Sequence, residues 1–206
     1  KISIIFAKEK YYRFVARCLQ TPFYMIEKDQ KKLLEQFQNE ATKAAAFSEL
    51  VKTSHEKLYW HIRRIVLNHD DADDILQNTY MKAWNGLSSF RGESQITTWL
   101  YRIATNECLT FLTKERMKNI TSSLDAEDIL LRKMEVDAYF NGDEAQKLLQ
   151  EAILTLPEKQ RIVFNMRYFQ EMSYEKMAEI LNTSVGALKA SYHYAVKKVE
   201  LFLKEN

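Results

Sequence analysis

Between Ala72 and Leu87 the residues Ala72, Ile75, Leu76, Thr79, Tyr80, Ala83 and Leu87 return at steps of three and four. That spacing draws one buried stripe along a helix. The opposite face carries Asp73, Asp74, Gln77, Asn78, Met81 and Lys82. Asp70 or Asp71 is the expected acceptor for the free amides of the first turn, and Asp73 and Asp74 add negative charge at the positive end of the helix dipole. Gly86 is expected near the helix end, where a left-handed conformation costs glycine little. A second helix is predicted from about Thr97 to Lys118, with Ile96, Trp99, Leu100, Ile103, Ala104, Cys108, Phe111 and Leu112 inward. Its outer side then presents Thr98, Tyr101, Arg102, Thr105, Asn106, Thr113 and Arg116. The connecting stretch 88–95 is polar, with the single aromatic Phe90.

A different pattern closes the chain. Leu156-Pro157 breaks helix, and Pro157 suits the first turn of a helix running through Glu158, Arg161, Phe164 and Arg167. Ser173 is a good N-cap for a short helix over 174–181, with Tyr174, Met177, Ala178 and Leu181 on one face. Asn182-Thr183-Ser184 makes the turn: Asn tolerates positive φ, and Thr183 or Ser184 can cap the next helix. In that helix Leu188, Tyr192, Ala195, Val199 and Leu203 point inward. Small Ala178 at the crossing permits the close approach that a DNA-reading helix-turn-helix requires.

Composition narrows the class. Among 206 residues only 4 are Gly and 2 Pro, too few chain-breakers for a many-turned sandwich or barrel, so the expected fold is all-α. No apolar run reaches the roughly 18 to 20 residues that cross a bilayer. The opening KISIIFAKEK loses its apolar character at Lys8, so the expected location is cytoplasmic, without direct membrane insertion. Cys18 and Cys108 are two cysteines without a disulfide pattern, and His55, His61, His69 and His193 have no metal-ligand spacing with them. Neither metal nor cofactor is expected.

The net charge of +2 hides an uneven distribution. Residues 1–46 carry nine Lys/Arg against five Asp/Glu, and 47–117 carry nine against nine. Residues 118–151 carry four against eight, and 152–206 carry eight against six. The acidic stretch lacks sustained apolar spacing and contains Asn141-Gly142-Asp143, a turn signal. The division expected is therefore an N-terminal extension (1–46), a helical domain (47–117), an acidic linker (118–151) and a smaller helical domain (152–206).

Three sets of side chains carry candidate chemistry. Hydroxyls and Arg102 on the second helix suit phosphate, Tyr101 suits stacking on an exposed base, and Asn106 suits base edges. On the last helix Gly186, Ala187, Lys189, Ala190, Ser191 and His193 face outward, with Lys197 and Lys198 later, and the lysines suit guanine edges or phosphate. The run Asp70-Asp71-Ala72-Asp73-Asp74 is similar to the magnesium-binding DDxxD of helical prenyl-diphosphate enzymes. Such an enzyme needs a second carboxylate cluster facing the first, and no second Asp-rich helix is present, so no catalytic residue is assigned. A stand-alone helix-turn-helix regulator with a sensing domain is the other rival.

The blocks DDADDILQNTYMKAW, FRGESQITTWLYRIATNECLTFL and LPEKQRIVFNMRYFQEMSYEKMAEILNTSVGALKASYHYAVKKV, in this order and spacing, resemble regions two and four of an extracytoplasmic-function (ECF) sigma factor of the sigma-70 family. The resemblance covers about 47–203. It implies two small all-α domains, a region 2 helical bundle and a region 4 helix-turn-helix, in a non-enzymatic subunit that binds core RNA polymerase through its β′ and β subunits. It directs the polymerase to promoter DNA and helps melt it. It further implies core-polymerase contacts from Asp73, Asp74, Gln77, Asn78, Met81 and Trp84. Minus-ten contacts are implied for Phe90, Arg91, Ser94, Thr98, Trp99, Tyr101, Arg102 and Asn106, and minus-thirty-five contacts for Ser184, Gly186, Lys189, Ser191, His193 and Lys197. An anti-sigma factor is a further candidate partner. Where the family often has Thr, Ser and Arg, this chain has Ala187, Ala190 and Ser191; Lys176 stands for a frequent Glu and Asn182 for a frequent Gly. Residues 1–46 lie outside the pattern, with Met25 an alternative start.

Overall fold

A computed structural model describes residues 30–119 and 144–206. Among them are eight α-helices and no strand. The first group comprises α1 (Gln30–Gln38), α2 (Glu40–Val66), α3 (His69–Gly86) and α4 (Ile96–Asn119). The second comprises α5 (Glu144–Leu154), α6 (Glu158–Tyr168), α7 (Tyr174–Leu181) and α8 (Val185–Glu205). Cys18, Met25 and the central part of the expected acidic linker lie outside the described residues.

Helix ends follow local chemistry. Asn39 caps α2 by accepting from the Ala41 amide at 3.0 Å. Leu67 takes a left-handed φ of 64°, donates its amide to the Arg63 carbonyl at 2.9 Å, and turns the chain so that Asn68 caps α3. The cap is Asn68 Oδ1, accepting from the Asp71 amide at 3.0 Å, and not Asp70 or Asp71. Those aspartates lie inside the first turn and favour the dipole instead. Asn68→Ala is therefore expected to cost about 1 kcal/mol, read as a lower thermal midpoint by circular dichroism. Gly86 has φ −85°, so the left-handed conformation expected there is absent; the chain passes straight into a 3₁₀ turn at Leu87–Ser89. What Gly86 provides is room, since a Cβ there would sit 3.2 Å from the Trp99 ring. Pro157 precedes α6 as its cap and does not occupy its first turn.

Residues 30–46 pack on the first group. Phe37 and Ala46 are buried with Leu50, Ala83, Leu87, Ile96 and Leu100. Helix α2 runs unbroken through residues 46 and 47, where the sequence suggested a boundary, because the apolar line Ala46, Leu50, Leu58, Ile62 continues across it. At the other end, residues 144–151 of the expected linker are helical, with Leu149 buried.

The largest core joins both groups. Leu58, Ile62, Ile65 and Val66 of α2, Ile75 and Leu76 of α3, and Tyr101, Ala104 and Cys108 of α4 cluster with Ile162, Val163, Met166, Met172, Met177, Ile180 and Leu188. A separate core between α5, α6 and α8 holds Leu149, Ile153, Phe164, Tyr168, Ala195 and Val199. Polar pins cross the same boundary. Asn165 Nδ2 donates to the Arg64 carbonyl at 3.1 Å, Lys176 Nζ donates to Thr97 Oγ1 at 3.1 Å, and Arg116 pairs with Glu158.

Candidate nucleic-acid interface

Helix α3 presents its polar face outward as its periodicity requires. Asp73, Asp74, Gln77 and Asn78 are exposed, and so are the apolar Met81 (58 %) and Trp84 (39 %). Two large apolar side chains beside the Asp73 and Asp74 carboxylates form a surface suited to another protein rather than to anionic DNA. Trp84 is held from α2: the Phe47 ring meets it edge-on at 5.1 Å and Lys43 Nζ lies 5.1 Å from its centroid. Lys43 belongs to the stretch assigned to the N-terminal extension, and the even charge of 47–117 gave no sign of its role.

The loop between α3 and α4 is braced from two sides. Phe90 lies against Trp99 with centroids 4.9 Å apart. Gln30 of α1 donates to the Ser94 carbonyl at 2.8 Å. Gly92 has φ +75°, and a Cβ there would come within 2.6 Å of Leu34. Arg91 stays exposed at the rim, and Ser94 and Phe90 are half-buried.

Helix α4 departs from the expected division of faces. Arg102 and Asn106 are exposed, together with Thr113 and Arg116. Thr98, Tyr101 and Thr105, expected on the outer side, are buried. Trp99, placed on the inner stripe, is half-buried beside the loop. The reason is tertiary: α7 packs along α4 and the α2 side chain His61 faces it. Thr105 Oγ1 donates to the Tyr101 carbonyl at 2.7 Å and so accepts from His61 Nε2 at 3.0 Å. His61 therefore carries its proton on Nε2, and Nδ1 accepts from Gln170 Nε2 at 2.8 Å. The ring also lies edge-on to Tyr101 at 4.9 Å. Complete burial, with the Arg64 charge adding to it, holds the imidazole neutral by lowering its pKa to about 3. Burial likewise pushes the Cys108 thiol well above its ordinary value, the nearby Glu107 carboxylate adding to it, so Cys108 is an inert core residue.

In the second group, Ser173 Oγ accepts from the Lys176 amide at 3.2 Å, Asn182 takes φ 49°, and Ser184 Oγ accepts from the Ala187 amide at 3.3 Å. Ser173 starts α7, and Asn182 and Ser184 turn the chain from α7 into α8. On α8, Gly186, Ala190, His193 and Lys197 follow one another at steps of four, three and four along one exposed line. Nothing lies within 4 Å of a Cβ built on Gly186, so the line begins on open, small-residue helix. Lys189 Nζ lies 5.7 Å from the Tyr174 centroid, with Arg167 4.9 Å from the same ring. Ser191 is half-buried. Tyr194, 58 % exposed, lies beside this line and stands three residues before Lys197 on the same helix. Among the described residues no group of His, Cys, Asp or Glu could hold a metal ion, and no helix is long and apolar enough to cross a membrane.

Two helical groups, the second with a capped helix-turn-helix whose second helix carries an open, exposed line, define a DNA-binding all-α protein. Two family models match: Sigma-70 region 2 over residues 50–117 and Sigma-70, region 4 over residues 146–199. The ECF RNA polymerase sigma factor SigW of Bacillus subtilis is 33% identical over 72% of this chain and 83% of its own length. The ECF RNA polymerase sigma-E factor of Haemophilus influenzae is 31% identical over 75% of this chain and 86% of its own. A solved structure of CnrH in complex with the cytosolic domain of CnrY superposes with a TM-score of 0.60 at 22% identity, covering 84% of this chain and 96% of that one. The chain belongs to the ECF sigma factors of the sigma-70 family.

Proposed function

We infer that the protein is a transcription initiation subunit: it joins core RNA polymerase, brings it to promoters and helps open the DNA. The observation that carries this reading is the exposed Met81–Trp84 pair set among Asp73, Asp74, Gln77 and Asn78 on α3, together with the open line on α8. The α3 face takes the polymerase. The loop at Phe90, Arg91 and Ser94, with Trp99, Arg102 and Asn106, takes the minus-ten element, and α8 enters the major groove at the minus-thirty-five element through Ser184, Gly186, Lys189, Ser191, His193 and Lys197. The work is binding, with no covalent step. Each base stacked on an aromatic ring returns about 1 to 3 kcal/mol against an unstacking cost of a few, so the polymerase must supply most of the affinity. The balanced charge of 47–117 fits that division, since few phosphates are neutralised there.

The test is run-off transcription with purified core polymerase over a pool of random promoters, alongside Asp74→Ala with Gln77→Ala. The full chain should yield discrete transcripts. The double variant should keep its circular dichroism spectrum and bind core roughly tenfold more weakly. Absence of any transcript from a folded chain would overturn the reading, and unchanged core affinity would remove the docking face.

A further inference from the structure

Gly186 stands in the first turn of α8 with no reason inside the protein for lacking a side chain. Its backbone is not left-handed, since Gly92 is the one glycine at positive φ among the described residues, and a Cβ built on Gly186 meets nothing within 4 Å. Glycine is a poor helix former, so the helix by itself favours almost any other residue there. What the missing side chain provides is close approach of the helix backbone to something outside. Two more positions extend this surface. Ala187 and Ala190 are exposed, and at a separation of three residues their Cβ atoms are neighbours about 5 to 6 Å apart. Ala190 lies opposite the buried Leu188, Ala195 and Val199, at the middle of the outward face. Lys189, the cation of this stretch, is drawn to the flank, its Nζ 5.7 Å from the centroid of the Tyr174 ring on α7. The middle of the face therefore offers methyl groups and no polar side chain.

We propose that α8 selects thymine in the minus-thirty-five element, the Ala187 and Ala190 methyls meeting the C5-methyl groups of T·A pairs while Lys189 and Lys197 serve the phosphates. This rests on the reading that α8 enters the major groove there. That groove is about 12 Å wide and about 8.5 Å deep, so a helix whose leading face carries nothing beyond Cβ sits further in than one bearing long side chains. The thymine methyl is the apolar group that a base pair presents in the groove. Guanine and adenine are read by paired bonds from Arg, Lys, Asn or Gln, and residues 187 and 190 supply none of these. Two methyls about 5 to 6 Å apart reach base pairs one or two steps from each other, at about 3.4 Å per step.

The experiment combines the full chain with purified core polymerase and synthetic promoters whose minus-thirty-five block is randomised, built once with thymine and once with deoxyuridine, which lacks only the C5-methyl. Transcripts from the thymine pool should be enriched in T·A at two positions no more than two steps apart. The same promoters with uracil at those positions should yield roughly fourfold less transcript for each methyl removed. Ala190→Gly should make one of the two positions indifferent to the exchange. Ala190→Arg should turn that position toward G·C, a change of preference that altered folding does not produce. Gly186→Leu should melt no lower than wild type and yet lose transcript from every selected promoter. Equal yields from thymine and uracil promoters with the wild type overturn the proposal, and so does a selected block without T·A enrichment. Transcripts from neither pool overturn the functional reading itself, and the proposal with it.

Discussion

Ile62→Ala is expected to remove roughly 2 to 5 kcal/mol of folding stability. Ile62 lies in the middle of α2, is fully buried, and sits in the cluster where both helical groups meet. The loss combines the transfer free energy of the removed methylenes with the cavity left behind, and the helices packed around this cluster leave little freedom to collapse into it. For a chain of this length the midpoint of thermal unfolding should fall by roughly 4 to 20 °C. Ile62→Val, which removes one methyl group, should cost only about 1 kcal/mol. The same measurement on Met81→Ala should give a change within about 0.5 kcal/mol, because Met81 is exposed. Urea titration of the three variants checks the order, and an Ile62→Ala midpoint equal to wild type would mean the shared core does not form.

Acid should destabilise the fold through His61. The imidazole ionises near 6.5 in the unfolded chain and only at about 3 in the folded one, because burial and the Arg64 charge oppose its protonation. The unfolded chain therefore takes up the proton first. Stability from this group is complete above pH 6.5 and falls as pH drops toward 3, at about 1.4 kcal/mol per pH unit. By pH 5 the loss should reach about 2 kcal/mol, or about 4 to 8 °C in the thermal midpoint. Facing the ring are Tyr101 and Thr105 of α4, Gln170 before α7 and the Arg64 cation of its own helix, with no carboxylate among those partners to receive a new charge. A proton on Nδ1 would point at the Gln170 NH₂ group and break that bond. Carboxylates titrate in the same window, so the result is the difference between wild type and His61→Gln: the variant should lose the part of the slope between pH 6.5 and 5. Equal slopes would mean that His61 is already reached by water.

The caps and the turn of the helix-turn-helix were legible because their determinants are local, whereas Ile180, buried on its first helix, was not on the face the spacing marked. Ser173, Asn182 and Ser184 act within three residues of themselves, and each does in the structure what its side chain favours. Periodicity likewise marked the inner stripe of α3, where Ala72, Ile75, Leu76 and Ala83 are buried. The faces of α4 were not legible in the same way. Thr98, Tyr101 and Thr105 are polar enough to read as surface, and what covers this side of α4 is α7, some 70 to 80 positions further along, together with His61 of α2, neither of which any periodicity within α4 records. Asn68 was passed over as a cap because four aspartates follow it, and a side chain that accepts from the third amide on outranks carboxylates already inside the helix. Helix α1 left no local signal because its residues serve a loop some 60 positions away, Leu34 by packing at Gly92 and Gln30 by its hydrogen bond to Ser94.

That brace on Gly92 has a practical outcome. A recombinant fragment trimmed to start at residue 50, where the family match begins, would strip away Gln30, Leu34 and Phe37 and leave the apolar surface of Leu50 and Leu87 wet. Such a fragment should stick to itself at modest concentration and hold residues 88–95 in many arrangements. Promoter-selectivity measurements made on it would then describe a slack hairpin of chain instead of the tethered one, and any preparation meant for quantitative work has to keep residue 30 onward.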